Sequence, residues 1–192
     1  MAPPVSTDGP HLLFVGPTHV DANRDGVVWF VKEVLPILRR AVPDVVLDVV
    51  GGKAPPDVRA LVGPKVRVHG YVPDLEPYLA SASVSIVPLR VGGGTRLKIL
   101  NSLAQGIPTV STSIGAEGLD LDDGEDLLIG DDAASFAHQI ALLLRDEDKR
   151  AHLRANGRRT VAARYSWQAL APTLEATIAK ARHHDLVDGD AG

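Results

Sequence analysis

The sequence predicts an α/β fold, a Rossmann-like parallel sheet with helices on both faces. Three observations point there. Short apolar runs alternate with segments of helical spacing along the whole 192-residue chain. The apolar runs are continuous rather than alternating with polar residues, as in strands buried on both faces. Aromatic residues make up 4% of a composition that is 45% hydrophobic, so the core is expected to be built from Val, Leu, Ile and Ala. In such a sheet crossovers are right-handed, and ligands sit beyond the carboxyl ends of the strands, where strand order reverses.

Residues 11–16 (HLLFVG) read as the first buried strand. Residues 23–42 follow with Val27, Phe30, Val31, Val34 and Leu38 on one helical stripe, and Pro36 predicts a kink or an end near Leu35. Asp21 or Asn23 is the expected cap of that helix, with Arg24 and Asp25 as a surface charge pair. Residues 45–50 (VVLDVV) form the second strand, closed by Gly51 and Gly52; residues 57–62 form a short helix. Residues 65–69 (KVRVH) are a strand closed by Gly70, and 74–81 a helix capped by Asp74. Residues 83–87 are a strand ending at Pro88, followed by Gly92-Gly93-Gly94 and a helix from Thr95 to Gly106. Strands at 107–111 and 127–129 precede an amphipathic helix at 132–144 and a basic-faced helix at 148–164. Gly157 interrupts the latter at a cost of ~1 kcal/mol. Ser166 caps a last helix to residue 181, with Leu170, Leu174 and Ile178 on one side. Residues 1–10 read as a mobile, proline-rich leader, 11–182 as one domain and 183–192 as a polar tail.

Composition excludes several classes. Lys and Arg number 20 against 24 Asp and Glu, a net charge of -4, which lacks the basic footprint of general nucleic-acid binding. There is no cysteine, hence no disulfide and no thiolate metal site. No apolar run approaches the ~18 residues of a membrane span, and the first ten residues have neither the basic start nor the apolar core of a signal peptide. The seven histidines show no metal-ligand spacing, and no metal or other cofactor is expected.

The most informative stretch is PLRVGGGTRLKILNSLAQGIPTVST, residues 88–112. Glycines let the backbone approach a ligand, and a helix N-terminus offers unpaired N–H groups and partial positive charge. Together they predict a phosphate site. Amides of Gly94 and Thr95 would face the anion and Lys98, one turn on, would supply a point charge. Arg90 precedes the glycines and is expected to line the cleft. Arg96 lies on another face and reads as structural or solvent-facing. Asn101 shares the Lys98 face, where it would bond either a ligand hydroxyl or its own helix. Arg24 would reach the same cleft, or else serve only as a surface charge. His69 reads as a packed or surface histidine, and Glu117 as a helix cap or a ligand contact. The loop is neither a Walker A motif nor a dinucleotide fingerprint, because it lacks Gly-Lys-Ser/Thr and does not follow the first strand.

These residues resemble a known family. The succession LFVG, VVG, VHGYVPDLEPYLASASVSIVPLRVGGGTRLKILNSLAQGIPTVSTSIGAEGL and ARYSW is similar to the C-terminal half of a family 4 glycosyltransferase. The closest branch is the bacterial one that makes exopolysaccharide and other cell-surface glycans. The resemblance covers residues 12–174. It implies one half of the two-domain arrangement called GT-B, the half that holds a nucleotide-diphosphate sugar. It places Gly16 near the diphosphate, Tyr71 and Val72 at the base through backbone groups, and Gly93, Gly94, Thr95 and Lys98 at the donor sugar and diphosphate. Asn101 stands where the family usually has a glutamate on the ribose, and Gly93 where the wider family has another. Pro17 replaces the usual arginine after the first-strand glycine, leaving Arg24 as the candidate for a lysine expected at the head of the first helix. The resemblance implies retaining transfer of a hexosyl group, with no catalytic residue assigned and no metal required. It also implies an N-terminal acceptor domain in cis or in trans, and a cytoplasmic enzyme with at most peripheral membrane association. The alternatives are a non-catalytic nucleotide-binding or interaction module and half of a sugar-nucleotide epimerase.

Overall fold

The computed structural model describes residues 9–92, 96–172 and 175. The leader up to residue 8, the glycine-loop residues Gly93, Gly94 and Thr95, and the polar tail lie outside the described residues. Strands β1 (His11–Val15), β2 (Val46–Val50), β3 (Val66–Gly70), β4 (Ala82–Val87), β5 (Thr109–Ser111) and β6 (Leu128–Ile129) form one sheet in the order β3-β2-β1-β4-β5-β6. Every neighbouring pair is parallel. Strand order therefore reverses between β1 and β4, and the loops leaving these two strands face each other across the switch point.

Side chains leave alternate faces of each strand, and two helical layers follow. Leu12 and Phe14 of β1 join Leu47, Val49, Val84, Ile86 and Val110 on one face. That face is covered by α1 (Asp21–Trp29), α2 (Leu35–Ala41) and α7 (Ala133–Arg145), which contribute Val27, Leu35, Leu38, Phe136 and Ile140. On the other face Leu13 and Val50 meet Tyr78 of α4 (Glu76–Ser81), and Val87 meets Ile99 and Leu103 of α5 (Leu97–Ala104). The aliphatic core holds one aromatic nucleus: Phe136 takes the rings of Trp29 and Phe30 edge-on at 5.7 and 5.9 Å. The turns α3 (Pro56–Arg59) and α6 (Ser113–Ala116) follow β2 and β5, and α8 (Glu147–Arg164) closes the fold against α5.

Several boundaries differ from the sequence expectation, each for a physical reason. Near Leu35, where Pro36 predicted a kink or an end, the regular α-helix is interrupted and a new α-helical segment, α2, begins. The residues before it, Phe30–Val34, take a π-helical turn in which Leu35 N–H reaches back to the Phe30 carbonyl. The wider turn absorbs the hydrogen bond a proline cannot make. The short helix expected over 57–62 stops at Arg59. Neither Asp21 nor Asn23 caps α1, whose N-cap is Val20 with no side-chain bond. α5 starts at Leu97 rather than Thr95, because Arg96 adopts a left-handed conformation, φ 52°. Asp132 caps α7 through a reciprocal bond pair with Ser135. Gly157 is a packing residue, since a Cβ there would lie 2.9 Å from Leu103 Cδ2 and 3.2 Å from the Asp126 carbonyl.

Candidate functional site

At the switch point, β1 runs out through Gly16 and Pro17 into α1, and β4 runs out through Pro88 to Gly92. Close backbone approach holds the two loops together. Gly26 of α1 has the Pro88 carbonyl directly over its Cα, where no Cβ would fit. Gly92, with φ 105°, brings the β4 loop to within contact of Ala22. From the β5 side, Thr112 Oγ1 donates to the Leu89 carbonyl and accepts from Gly115 N–H. Arg96, although expected to be structural or solvent-facing, is buried and structural. Its guanidinium donates to the Gly92 carbonyl at 3.0 Å and to Glu117 Oε2 at 3.2 Å. One side chain thus ties residue 92 to residue 96. Glu117 is the C-cap residue of α6, as the helix-cap reading expected, and its carboxylate is also engaged by Arg96.

Lys98 lies at the centre of this arrangement. Its ammonium donates to Asn23 Oδ1 and sits 5.1 Å from the centre of the Phe14 ring. Burial, and then the neighbouring Arg96 charge, lower its pKa to about 8. Asn23 is itself buried and donates through Nδ2 to the Pro17 carbonyl at 3.0 Å. Gly16 is buried beneath it, and a Cβ there would lie 3.2 Å from Asn23 Nδ2. Gly16, Asn23 and Lys98, drawn from the loop just after β1, from α1 and from α5, are therefore one group.

The remaining predicted residues fall around it. Gly51 N–H donates to the Gly70 carbonyl at 2.7 Å, and a Cβ on Gly52 would lie 3.2 Å from Pro17, so the loops after β2 and β3 continue the same rim. There Tyr71, strongly exposed, lines a recess of about 390 Å³ with Lys53, Arg59, His69 and Gly70; Val72 follows and is half-buried. Arg24 and Arg90 are not drawn to Lys98. Arg24 Nε donates to Asp57 at 2.7 Å, and Arg90 makes a two-pronged bond to Asp25 at 2.6 and 3.0 Å beside the Trp29 ring. Both line a separate recess of about 360 Å³ on the outer side of α1. Asn101 is exposed on α5.

Two groups escaped the sequence reading. Asn23 was expected as a cap, yet it sits four residues before Val27 and seven before Phe30, on the apolar stripe itself. That register was the available signal of a buried polar side chain. The second is a cluster across three strands. Asp48 Oδ2 accepts from His11 Nδ1 at 2.7 Å, and Oδ1 accepts from His69 Nε2 at 2.6 Å. His69 also packs edge-on against Tyr78 at 4.8 Å. Burial pushes the Asp48 carboxyl up, but the bonds from His69 and His11 together outweigh it and leave its pKa lowered. A lone aspartate inside VVLDVV was the signal, since a buried carboxylate needs partners. Among the described residues no set of three or more His, Asp or Glu gathers as a metal would require, and no helix is long and apolar enough to cross a membrane.

Comparison with known proteins bears on this rim. The family described as "Glycosyl transferases group 1" matches residues 9–146. The lipopolysaccharide core biosynthesis glycosyltransferase LpsE of Rhizobium meliloti is 34% identical over 116 residues, covering 57% of this chain and 32% of LpsE. HepE of Anabaena, solved with UDP and glucose, superposes with a TM-score of 0.75 at 14% identity, over 92% of this chain and 49% of HepE. The C-terminal domain of a group 1 family glycosyl transferase (LpcC) of Francisella tularensis superposes with a TM-score of 0.65 at 15% identity, over 83% of this chain and 88% of that domain. The two structural likenesses are of fold. The chain spans 32% to 36% of the length of the curated relatives it matches.

Proposed function

We propose, from the premise that this chain belongs to the group 1 glycosyltransferases, that it is the C-terminal, donor-binding half of a two-domain GT-B enzyme. The full enzyme transfers a hexosyl group, with retention, from a nucleotide-diphosphate sugar to a glycan or lipid-linked acceptor held by an N-terminal domain. The observation that carries this reading is the group at the switch point. A partly buried ammonium, Lys98, stands beside a strand-end glycine, Gly16, at the place where open parallel sheets hold their ligands. The base is assigned to the recess at Tyr71 and Val72, and the diphosphate runs from there past Gly52 and Gly16 toward Lys98. Gly93, Gly94 and Thr95 carry the amides proposed for the donor sugar and diphosphate. Asn101 would bond the ribose as a neutral partner, and no metal is required. The role of Lys98 is to meet charge developing on the leaving diphosphate. The UDP and glucose in HepE and the stand-alone C-terminal domain of LpcC support this reading. LpsE, by its name an enzyme of lipopolysaccharide core biosynthesis, supports an acceptor in cell-surface glycan synthesis; the full enzyme is proposed to be cytoplasmic with at most peripheral membrane association. Arg24 and Arg90, each occupied by a carboxylate, are assigned to the border of the site rather than to the donor.

The test is calorimetric titration of the 192-residue chain with UDP and with GDP. One of them should bind, and Lys98→Ala and Gly16→Val should each weaken it at least tenfold. A chain that binds neither nucleotide refutes the donor-site reading and favours a non-catalytic interaction module.

A further inference from the structure

Asn23 makes two bonds that need both ends of a primary amide. Its Nδ2 donates to the Pro17 carbonyl at 3.0 Å, and its Oδ1 accepts from Lys98 Nζ. The orientation is fixed by chemistry, because a carbonyl only accepts and an ammonium only donates. The side chain is more than nine-tenths buried, and the strand beneath it has kept a glycine whose Cβ would crowd it. The amide therefore spans the switch point, joining the loop after β1 to the second residue of α5, itself 75 positions of sequence from Asn23.

We infer that Asn23 is a positioning residue of the donor site: it fixes the Lys98 ammonium against the mouth of the β1 loop so that the diphosphate meets a charge already in place. This rests on the donor-binding reading above. Preorganisation matters because an ammonium on a four-carbon stem otherwise loses rotamer freedom on binding. Asn23 also stabilises the charged form of Lys98 without neutralising it, which a carboxylate at the same place would do. The other groups around the ammonium leave this role to Asn23. β1 contributes the Phe14 ring, and the loop just after it Gly16. On α1, Asp25 is held by Arg90 and Arg24 by Asp57, with Asp21 in the first turn. On the α5 side Arg96 repels the ammonium and is itself answered by Glu117.

The experiment follows Lys98 itself. The Cε and Nζ resonances of Lys98 are titrated by NMR in the wild-type chain, in Asn23→Ala and in Asn23→Asp, and UDP and GDP are titrated into the same samples by calorimetry. The wild-type midpoint should lie near 8. Asn23→Ala, which removes a bond to the charged form, should lower it by about one pH unit, and nucleotide affinity at pH 8 should fall at least tenfold. Asn23→Asp, close in size, loses the bond to the Pro17 carbonyl but sets a charge beside the ammonium, so it should move the midpoint the opposite way, and a midpoint that does not rise overturns the contact even if the alanine variant does not fold. Midpoints that stay within about 0.2 unit of wild type, against the ~1-unit expectation, overturn the inference. Wild-type chain that binds neither nucleotide refutes the donor-site reading instead, and the inference falls with it even if the midpoints move.

Discussion

Replacing Asp48 isolates a stabilising feature that the fold conceals. The carboxylate accepts one bond from each of two histidines, and all three side chains are largely enclosed. Asp48→Ala leaves two ring N–H donors without partners, at ~1–3 kcal/mol each. His11 cannot escape by moving its proton, because its other ring nitrogen, Nε2, is buried and has no partner either. His69 is more open and recovers part of its loss from water, so the expected cost is about 4 kcal/mol at pH 7. Asp48→Asn keeps an acceptor for His11 through its carbonyl and bonds His69 through its NH2 once the more open His69 moves its proton to the other ring nitrogen, so it loses mainly the charge assistance. It also removes the cost of burying a carboxylate, so about 1 kcal/mol is expected. The pH dependence has a definite sign. Asp48 has a folded pKa below its ordinary 3.8, so its contribution is complete above the unfolded value and is lost as pH falls through the lower, folded one. The gap between wild type and Asp48→Asn should therefore narrow as pH drops below ~4. Urea unfolding followed by circular dichroism at a series of pH values measures both effects. An alanine variant within 1 kcal/mol of wild type, against the ~4 expected, or a gap that does not change with pH, would refute the argument.

Two further substitutions probe the rim. Gly26→Ala gains ~1 kcal/mol of helix propensity but places a methyl against the Pro88 carbonyl, and overpacking of backbone costs ~1–3 kcal/mol. The net cost of about 0–2 kcal/mol should lower the melting temperature modestly, while the β4 loop is pushed off α1 and nucleotide affinity should fall at least tenfold by calorimetry at a temperature where the variant is fully folded. Arg96→Met removes the tie between residues 92 and 96 and also a positive charge that lowers the Lys98 pKa. Nucleotide binding should weaken, while the Lys98 midpoint seen by NMR should rise above the wild-type value near 8.

The fold was legible because its dictating signals are local. A parallel strand buried on both faces must be aliphatic along its whole length, as LLFV and VVL show, and the helices between such strands carry their stripes in plain view. What could not be read were bonds between distant positions. Asp48 inside VVLDVV required partners, but their identity depends on β2 lying between β1 and β3, which strand spacing does not specify. Asn23 and Lys98 meet only because α1 and α5 both start at the switch point. Gly157 was read only as a propensity cost, and Gly26 carried no signal at all, yet each sits within a helix and admits a neighbour that a methyl would exclude. Pro36 announced an interruption near Leu35 but not its form, since the local rule allows a kink or a stop and the packed helix found a π turn.

The cations about the rim sort themselves by partner, and the sorting bears on which of them a donor would meet. Arg24 and Arg90 are each matched with a carboxylate, Asp57 and Asp25, in exposed pairs that need nothing further. Recruiting either to a diphosphate would mean breaking an existing bond. Arg96 is committed to the Gly92 carbonyl and Glu117. Lys98 has a neutral amide and an aromatic face as its company, and its desolvation is visible in a pKa of about 8. A partly buried ammonium without a counterion is destabilising by itself, and a sequence retains such a local conflict where a ligand resolves it. A diphosphate would supply the missing charge and raise the Lys98 pKa in the complex. Nucleotide binding measured above pH 8 should accordingly be accompanied by proton uptake, so that the calorimetric heat depends on the ionisation enthalpy of the buffer.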